Sequence, residues 1–127
     1  MCRVAATVLV CDNEEALRAL VRAALEPTDC DVVEARDGDE SLSLALSVRP
    51  GLIVLDMMMP GRSGLEVLAE LRAEPEFDDT PVVMLTARAQ ATDRHAAAEA
   101  GVDRFLSKPF SPRELASIVE ELLAERR

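Results

Sequence analysis

Short apolar runs alternate with helical patterns along the chain, and this alternation limits the fold more than any other feature of the sequence. Repeated strand and helix units of this kind form βαβ crossovers and a parallel sheet. Ala6 to Cys11, Asp31 to Ala35, Leu52 to Leu55, Val82 to Leu85 and Phe105 to Ser107 read as the strands. Leu52 to Leu55 has no polar alternation, which predicts cover on both faces and a central position in the sheet.

The first helix follows Asn13, with Ala16, Leu17, Leu20, Val21 and Ala24 as one apolar stripe before Pro27. Asp37-Gly38 reads as the turn closing the second strand, and a helix from about Asp39 to Val48 turns Leu42, Ala45 and Leu46 inward before Pro50-Gly51. The third helix spans Gly64 to Ala73 through Leu65, Val67, Leu68 and Leu71, and Glu74 to Thr80 is polar loop. Thr92 to Ala100 is Ala-rich, stops at Gly101 and is predicted to pack weakly and to be the part that moves. Ser111, Pro112 and Glu114 give the last helix an N-cap, a first-turn proline and a capping-box glutamate.

Four of the strands end on polar residues suited to phosphate: Asp12 with Asn13, then Asp56, Thr86 and Lys108. Ligands of open parallel sheets sit outside the carboxyl ends of the strands, so these residues converge. Two carboxylates suit a hard divalent cation, and a hydroxyl and an ammonium can hold phosphate oxygens. The combination points to phosphate chemistry with Mg²⁺.

Composition narrows the partners. The 127 residues are expected to form one domain, 1–127, and a net charge of −10 argues against a grip on nucleic acid. Cys2, Cys11 and Cys30 cannot all pair within the chain and fit no zinc spacing, which predicts a reduced, cytoplasmic protein with Cys11 filling a buried strand. No signal peptide or membrane-length apolar run is present, so no membrane role is expected. His95 is the only histidine and reads as a solvated helix residue.

Val8-Leu9-Val10-Cys11-Asp12-Asn13, Leu55-Asp56-Met57-Met58-Met59-Pro60-Gly61, Val83-Met84-Leu85-Thr86-Ala87 and Ser107-Lys108-Pro109-Phe110 carry a resemblance over essentially the whole length. The chain resembles a receiver domain of two-component response regulators. The resemblance implies a flavodoxin-like (βα)5 three-layer sandwich with a five-stranded parallel sheet in the order 2-1-3-4-5. It implies that Asp56 accepts a phosphoryl group from a sensor histidine kinase or a histidine phosphotransfer protein. Mg²⁺ would be held by Asp12 and its neighbour Asn13, by Asp56 and by the Met58 carbonyl, with Thr86 and Lys108 on the phosphoryl oxygens. Thr86 and Phe105 are then the switch pair, reshaping the face made by the fourth helix, fifth strand and fifth helix for a downstream protein target. Such a domain is a phosphoacceptor rather than an enzyme, and no output domain is expected in these residues.

Two departures qualify the resemblance. The family usually has two acids at the first strand end, whereas Asn13 stands second here, leaving one full charge fewer for the cation. Glu14 compensates only if the helix start turns it inward; otherwise it is a solvated first-turn acid. Asp12 and Asn13 are also competent N-caps without any metal. Asn13 thus keeps a second class open, a phosphorylation-independent interaction module on the same fold. The charged pairs through which some transcription-factor receivers dimerise are matched at Asp93, Arg94 and Asp103 but broken at Arg104 and Ser117, implying a monomer or a weak phosphorylation-dependent dimer. Met58 and Arg88 flank the pocket and could slow water attack on a phosphoaspartate.

Overall fold

The computed structural model describes residues 6–28, 30–87 and 91–125, with backbone alone at 91–93 and 125. Cys2 and Arg88, and the side chain of Asp93, lie outside the described residues. The strands are β1 (Ala6–Cys11), β2 (Cys30–Ala35), β3 (Leu52–Asp56), β4 (Val82–Thr86) and β5 (Arg104–Ser107). The helices are α1 (Glu15–Leu25), α2 (Gly38–Val48), α3 (Gly64–Arg72), α4 (Ala91–Ala100) and α5 (Pro112–Glu125), with short 3₁₀ turns at Glu26–Thr28 and Pro75–Phe77. All strand pairs are parallel, in the order β2-β1-β3-β4-β5, which puts β3, with its apolar run Leu52 to Leu55, in the middle as expected.

Alternation along each strand distributes side chains between two cores. Leu9, Cys11, Ile53, Leu55 and Met84 meet Ala45 of α2, Val67, Leu68 and Leu71 of α3 and Ala97 of α4. Val8, Val10, Leu52, Val54, Val83 and Leu85 face Val21 and Leu25 of α1 and Leu115, Val119 and Leu122 of α5. The result is three layers, and burial of each such side chain contributes roughly 1.5–3 kcal/mol before entropy is subtracted. Burial is complete along β3 and β4 and fades on the edge strands β2 and β5.

The helix starts follow their caps. Asp37 is not a free turn residue but the N-cap of α2, its carboxylate accepting from the Glu40 amide at 2.8 Å. Ser63 and Glu66 form a full capping box on α3, and the Ser111 hydroxyl accepts from the Glu114 amide at 3.3 Å ahead of α5. Gly101 ends α4 at φ +98°, a left-handed position open to glycine. Arg72, the last residue of α3, donates to the carbonyls of Phe77 (2.5 Å), Thr80 (2.8 Å) and Gly101 (2.7 Å). Only Ala97 of the described α4 side chains is fully buried, as its composition predicts.

The inward faces of α1 and α2 differ from the expected stripes. Ala16 and Leu20 are exposed, the latter 39%, and Arg18 takes the buried place between Leu17 and Val21. Its charge is satisfied by Glu34 and by the Asp12 carbonyl, so its aliphatic stem can pack as an apolar side chain does. On α2, Leu46 is 48% exposed and Leu42 half-buried, while Ser41 is buried with its hydroxyl donating to the Asp37 carbonyl at 2.7 Å.

Candidate functional site

Cys11 pairs with Leu55, Asp56 with Leu85 and Thr86 with Ser107, so the carboxyl ends of β1, β3, β4 and β5 lie level. This register gathers Asp12, Asp56, Thr86 and Lys108, although 96 positions separate the first from the last. Lys108 Nζ lies 3.1 Å from Asp12 Oδ2 and 3.4 Å from Asp56 Oδ1. Its backbone amide donates to the Thr86 carbonyl at 2.7 Å, and the Lys108–Pro109 peptide is cis. Asp12 and Thr86 are wholly buried and Asp56 is 3% exposed.

Asp12 does not cap α1. The N-cap position belongs to Glu14, which makes no side-chain cap, and Asp12 Oδ1 accepts instead from the Glu14 amide at 2.8 Å. That short turn leaves Oδ2 to face Lys108. Asn13 and Glu14 are both exposed at the mouth of the same turn. Past β3, the Met58 amide approaches Asp56 Oδ1 at 3.3 Å and the Gly64 amide donates to the Met57 carbonyl at 2.9 Å. Met57 and Met59 are buried, whereas Met58 is 59% exposed at the pocket rim.

The electrostatics favour added positive charge. Burial, then repulsion from Asp12, pushes the Asp56 carboxyl up to about 6, against the opposing pull of Lys108 and the Met58 amide. For Lys108 the desolvation that would lower its pKa is outweighed by Asp56 and Asp12, and the ammonium is held above its usual value. One ammonium between two carboxylates leaves a net negative pocket. Among the described residues no three His, Cys, Asp or Glu side chains gather to cage a metal. Two carboxylates with Asn13 and main-chain oxygen nevertheless suit Mg²⁺, which keeps several waters and is typically held by one or two carboxylates plus substrate phosphate.

Phe105 is half-buried on β5, with the Arg94 guanidinium of α4 5.0 Å from its ring centroid. His95 is exposed on α4 and turned to Glu99 at 3.5 Å. Cys11 is buried, and burial pushes its thiol up to about 12.

A family model for the response regulator receiver domain matches residues 8–120. The chain belongs to this family. Receiver domains serve as phosphoacceptors in two-component signalling, generally with Mg²⁺, and interact with histidine kinases and downstream targets. This receiver domain is 42% identical over 116 residues to the transcriptional regulatory protein ResD of Bacillus subtilis, covering 91% of the chain and 47% of ResD. It is 39% identical to the phosphate regulon transcriptional regulatory protein PhoB of Escherichia coli, covering 91% and 51%. The chain thus spans about half the length of the curated relatives it matches. Among solved structures, the receiver domain of Francisella response regulator 1452 superposes with a TM-score of 0.88 at 31% identity, covering 96% of this chain and 99% of that one. Chemotaxis protein CheY4 of Vibrio cholerae gives 0.88 at 28% identity, covering 94% and 99%. No described helix is long and apolar enough to cross a membrane.

Sequence reasoning missed two contributors. Gly64 abuts the Asp56 backbone, and its only sequence signal was its place after Ser63 at a helix start. Arg18 supports Asp12 from within what reads as an apolar stripe, and the hint was an arginine pair at helical spacing, Arg18 and Arg22, with an acid on the following strand.

Proposed function

We propose that this receiver takes a phosphoryl group on Asp56 and relays the event through the α4-β5-α5 face to a downstream protein. The N–P bond of a phosphohistidine on a sensor kinase or phosphotransfer protein breaks, and an O–P bond to the Asp56 carboxylate forms. The imidazole nitrogen keeps the electron pair. The carrying observation is Lys108 Nζ lying within 3.4 Å of Asp56 and 3.1 Å of Asp12, so that a fixed cation stands beside the acceptor before any phosphate arrives. Asp12, Asn13, Asp56 and the Met58 carbonyl would hold Mg²⁺, which supplies neutralising charge for the incoming phosphoryl oxygens. The Thr86 hydroxyl takes another of those oxygens, and its movement admits Phe105 into the space behind it. That differential contact is what shifts the equilibrium between the two shapes.

The donor histidine lies outside these residues, because their sole histidine is exposed on α4 and paired with Glu99. The domain is a cytoplasmic phosphoacceptor that assists its own phosphotransfer, not a turnover enzyme. Its charge of −10 keeps these residues off nucleic acid. Acetyl phosphate or phosphoramidate with Mg²⁺ should add one phosphoryl mass to the intact protein, and Asp56→Asn should abolish it. Labelling that persists in that variant overturns the assignment.

A further inference from the structure

Apart from Asp12 and Asp56 at the site, the buried polar and charged residues among those described are Arg18, Ser41, Thr80 and Thr86, and of these only Arg18 carries a charge. Its Nη1 donates to the Asp12 carbonyl at 2.7 Å and its Nε to Glu34 Oε1 at 2.9 Å. Glu34 in turn has its second oxygen occupied by Arg22, Nη2 at 2.7 Å and Nε at 3.0 Å. Two arginines one helical turn apart therefore fork onto one carboxylate of the edge strand. The Asp12 carbonyl needs that donor. The β1–β2 ladder ends with Cys11 opposite Ala35 and the Asp12 amide bonded to the Ala35 carbonyl, and beyond it the chain turns away into α2. Arg18 fills the place that the next residue of a longer β2 would have taken.

We infer that Arg18, held by Glu34, is a positioning residue for the cation site. It fixes the Asp12 peptide, and with it the turn that points the Asp12 carboxylate at Lys108 and leaves the Asn13 amide oxygen to the metal. Because Asn13 brings no charge, the site depends on placement more than a three-carboxylate site does. The inference rests on the proposed Mg²⁺ site.

The chain has no Trp or Tyr to report binding by intrinsic fluorescence, so Mn²⁺ alone is the probe, titrated against the unphosphorylated chain by electron paramagnetic resonance. Partners that orient metal ligands typically change affinity 10–100-fold, and Arg18→Met is expected to weaken Mn²⁺ binding about tenfold, with Glu34→Gln weakening it less. In phosphorylation by acetyl phosphate, the Mg²⁺ concentration for half-maximal rate should rise while the rate at saturating Mg²⁺ stays unchanged. A merely structural role would lower thermal stability without moving either metal constant. If Arg18→Met does not fold, Glu34→Gln decides the matter by the same measurements. Wild-type binding with equal Mn²⁺ affinity in the folded variants overturns the inference alone, whereas a wild-type chain that binds no Mn²⁺ overturns the cation site as well.

Discussion

Gly64 stands against the carbonyl of Asp56 with no room for a β-carbon: one built there falls inside any permitted contact with that oxygen and 2.9 Å from the Met57 Cα. The neighbours are backbone, so they cannot swing aside as a side-chain tip would. Gly64→Ala should therefore displace the end of β3 or the start of α3, although alanine is the better helix former. We expect a loss of about 1–3 kcal/mol in urea unfolding, the range of other overpacked sites, and slower labelling of Asp56 in the folded fraction. Stability equal to wild type would mean that the two segments slide apart freely.

Asn13→Asp restores a charge at the mouth of the pocket. A unit charge pair at about 4 Å and an effective dielectric of about 20 is worth roughly 4 kcal/mol before desolvation, so a gain of tenfold or more in Mg²⁺ affinity is expected, with faster phosphorylation at limiting Mg²⁺. Calorimetric titration of the two chains checks this. Equal affinities would show that Asn13 is not a ligand, since Glu14, exposed and with only its amide tied to Asp12, is not turned into the site.

Cys11 should be silent toward thiol reagents at neutral pH while the half-buried Cys30 reacts. The folded thiol titrates near 12 against 9.0 for the unconstrained group, so between these values the unfolded chain gives up a proton that the folded chain keeps. Stability is therefore full below 9.0 and falls as pH rises toward 12. Cys11→Ala should flatten that alkaline limb, which chemical denaturation at successive pH values will reveal.

Asp103 is already engaged within the monomer, accepting the Val82 amide at 2.8 Å and lying 3.4 Å from Arg72 Nη2. Arg104 is likewise paired with Glu121. Light scattering of the unmodified chain should give a monomer. Asp103→Ala should leave that mass unchanged and instead lower the melting temperature, since a backbone amide loses its acceptor at a cost of about 1 kcal/mol or more. A stable unphosphorylated dimer insensitive to this change would locate self-association on another surface.

The strands and the residues at their ends were legible because each depends on local chemistry: an unbroken apolar run, then one polar group where the sheet stops. Caps were nearly as plain, and Ser111 and Gly101 mark their helices as expected. The inward faces of α1 and α2 were not. Arg18 is buried because Glu34 is 16 positions away and ready to pair, and Leu20 and Leu46 are exposed in compensation. Helical periodicity registers apolar residues but not a charge whose partner arrives from a neighbouring strand. The same blindness hid Gly64, whose role lies in an atom it lacks.

Arg72 also fixes how α4 can move. By holding the carbonyl of Gly101 it anchors the end of α4 remote from the strand-end pocket, so the proposed response to events at Thr86 should be largest at the opposite end, where Arg94 meets Phe105 and Ser107. Ten residues give a lever of about 15 Å, so a tilt of roughly 10° would carry the opposite end some 2.5 Å, or about half a helical turn. The Arg72 bond to Gly101 resists sliding of α4 along the sheet, so in the proposed relay a partner should read the signal as a change of angle.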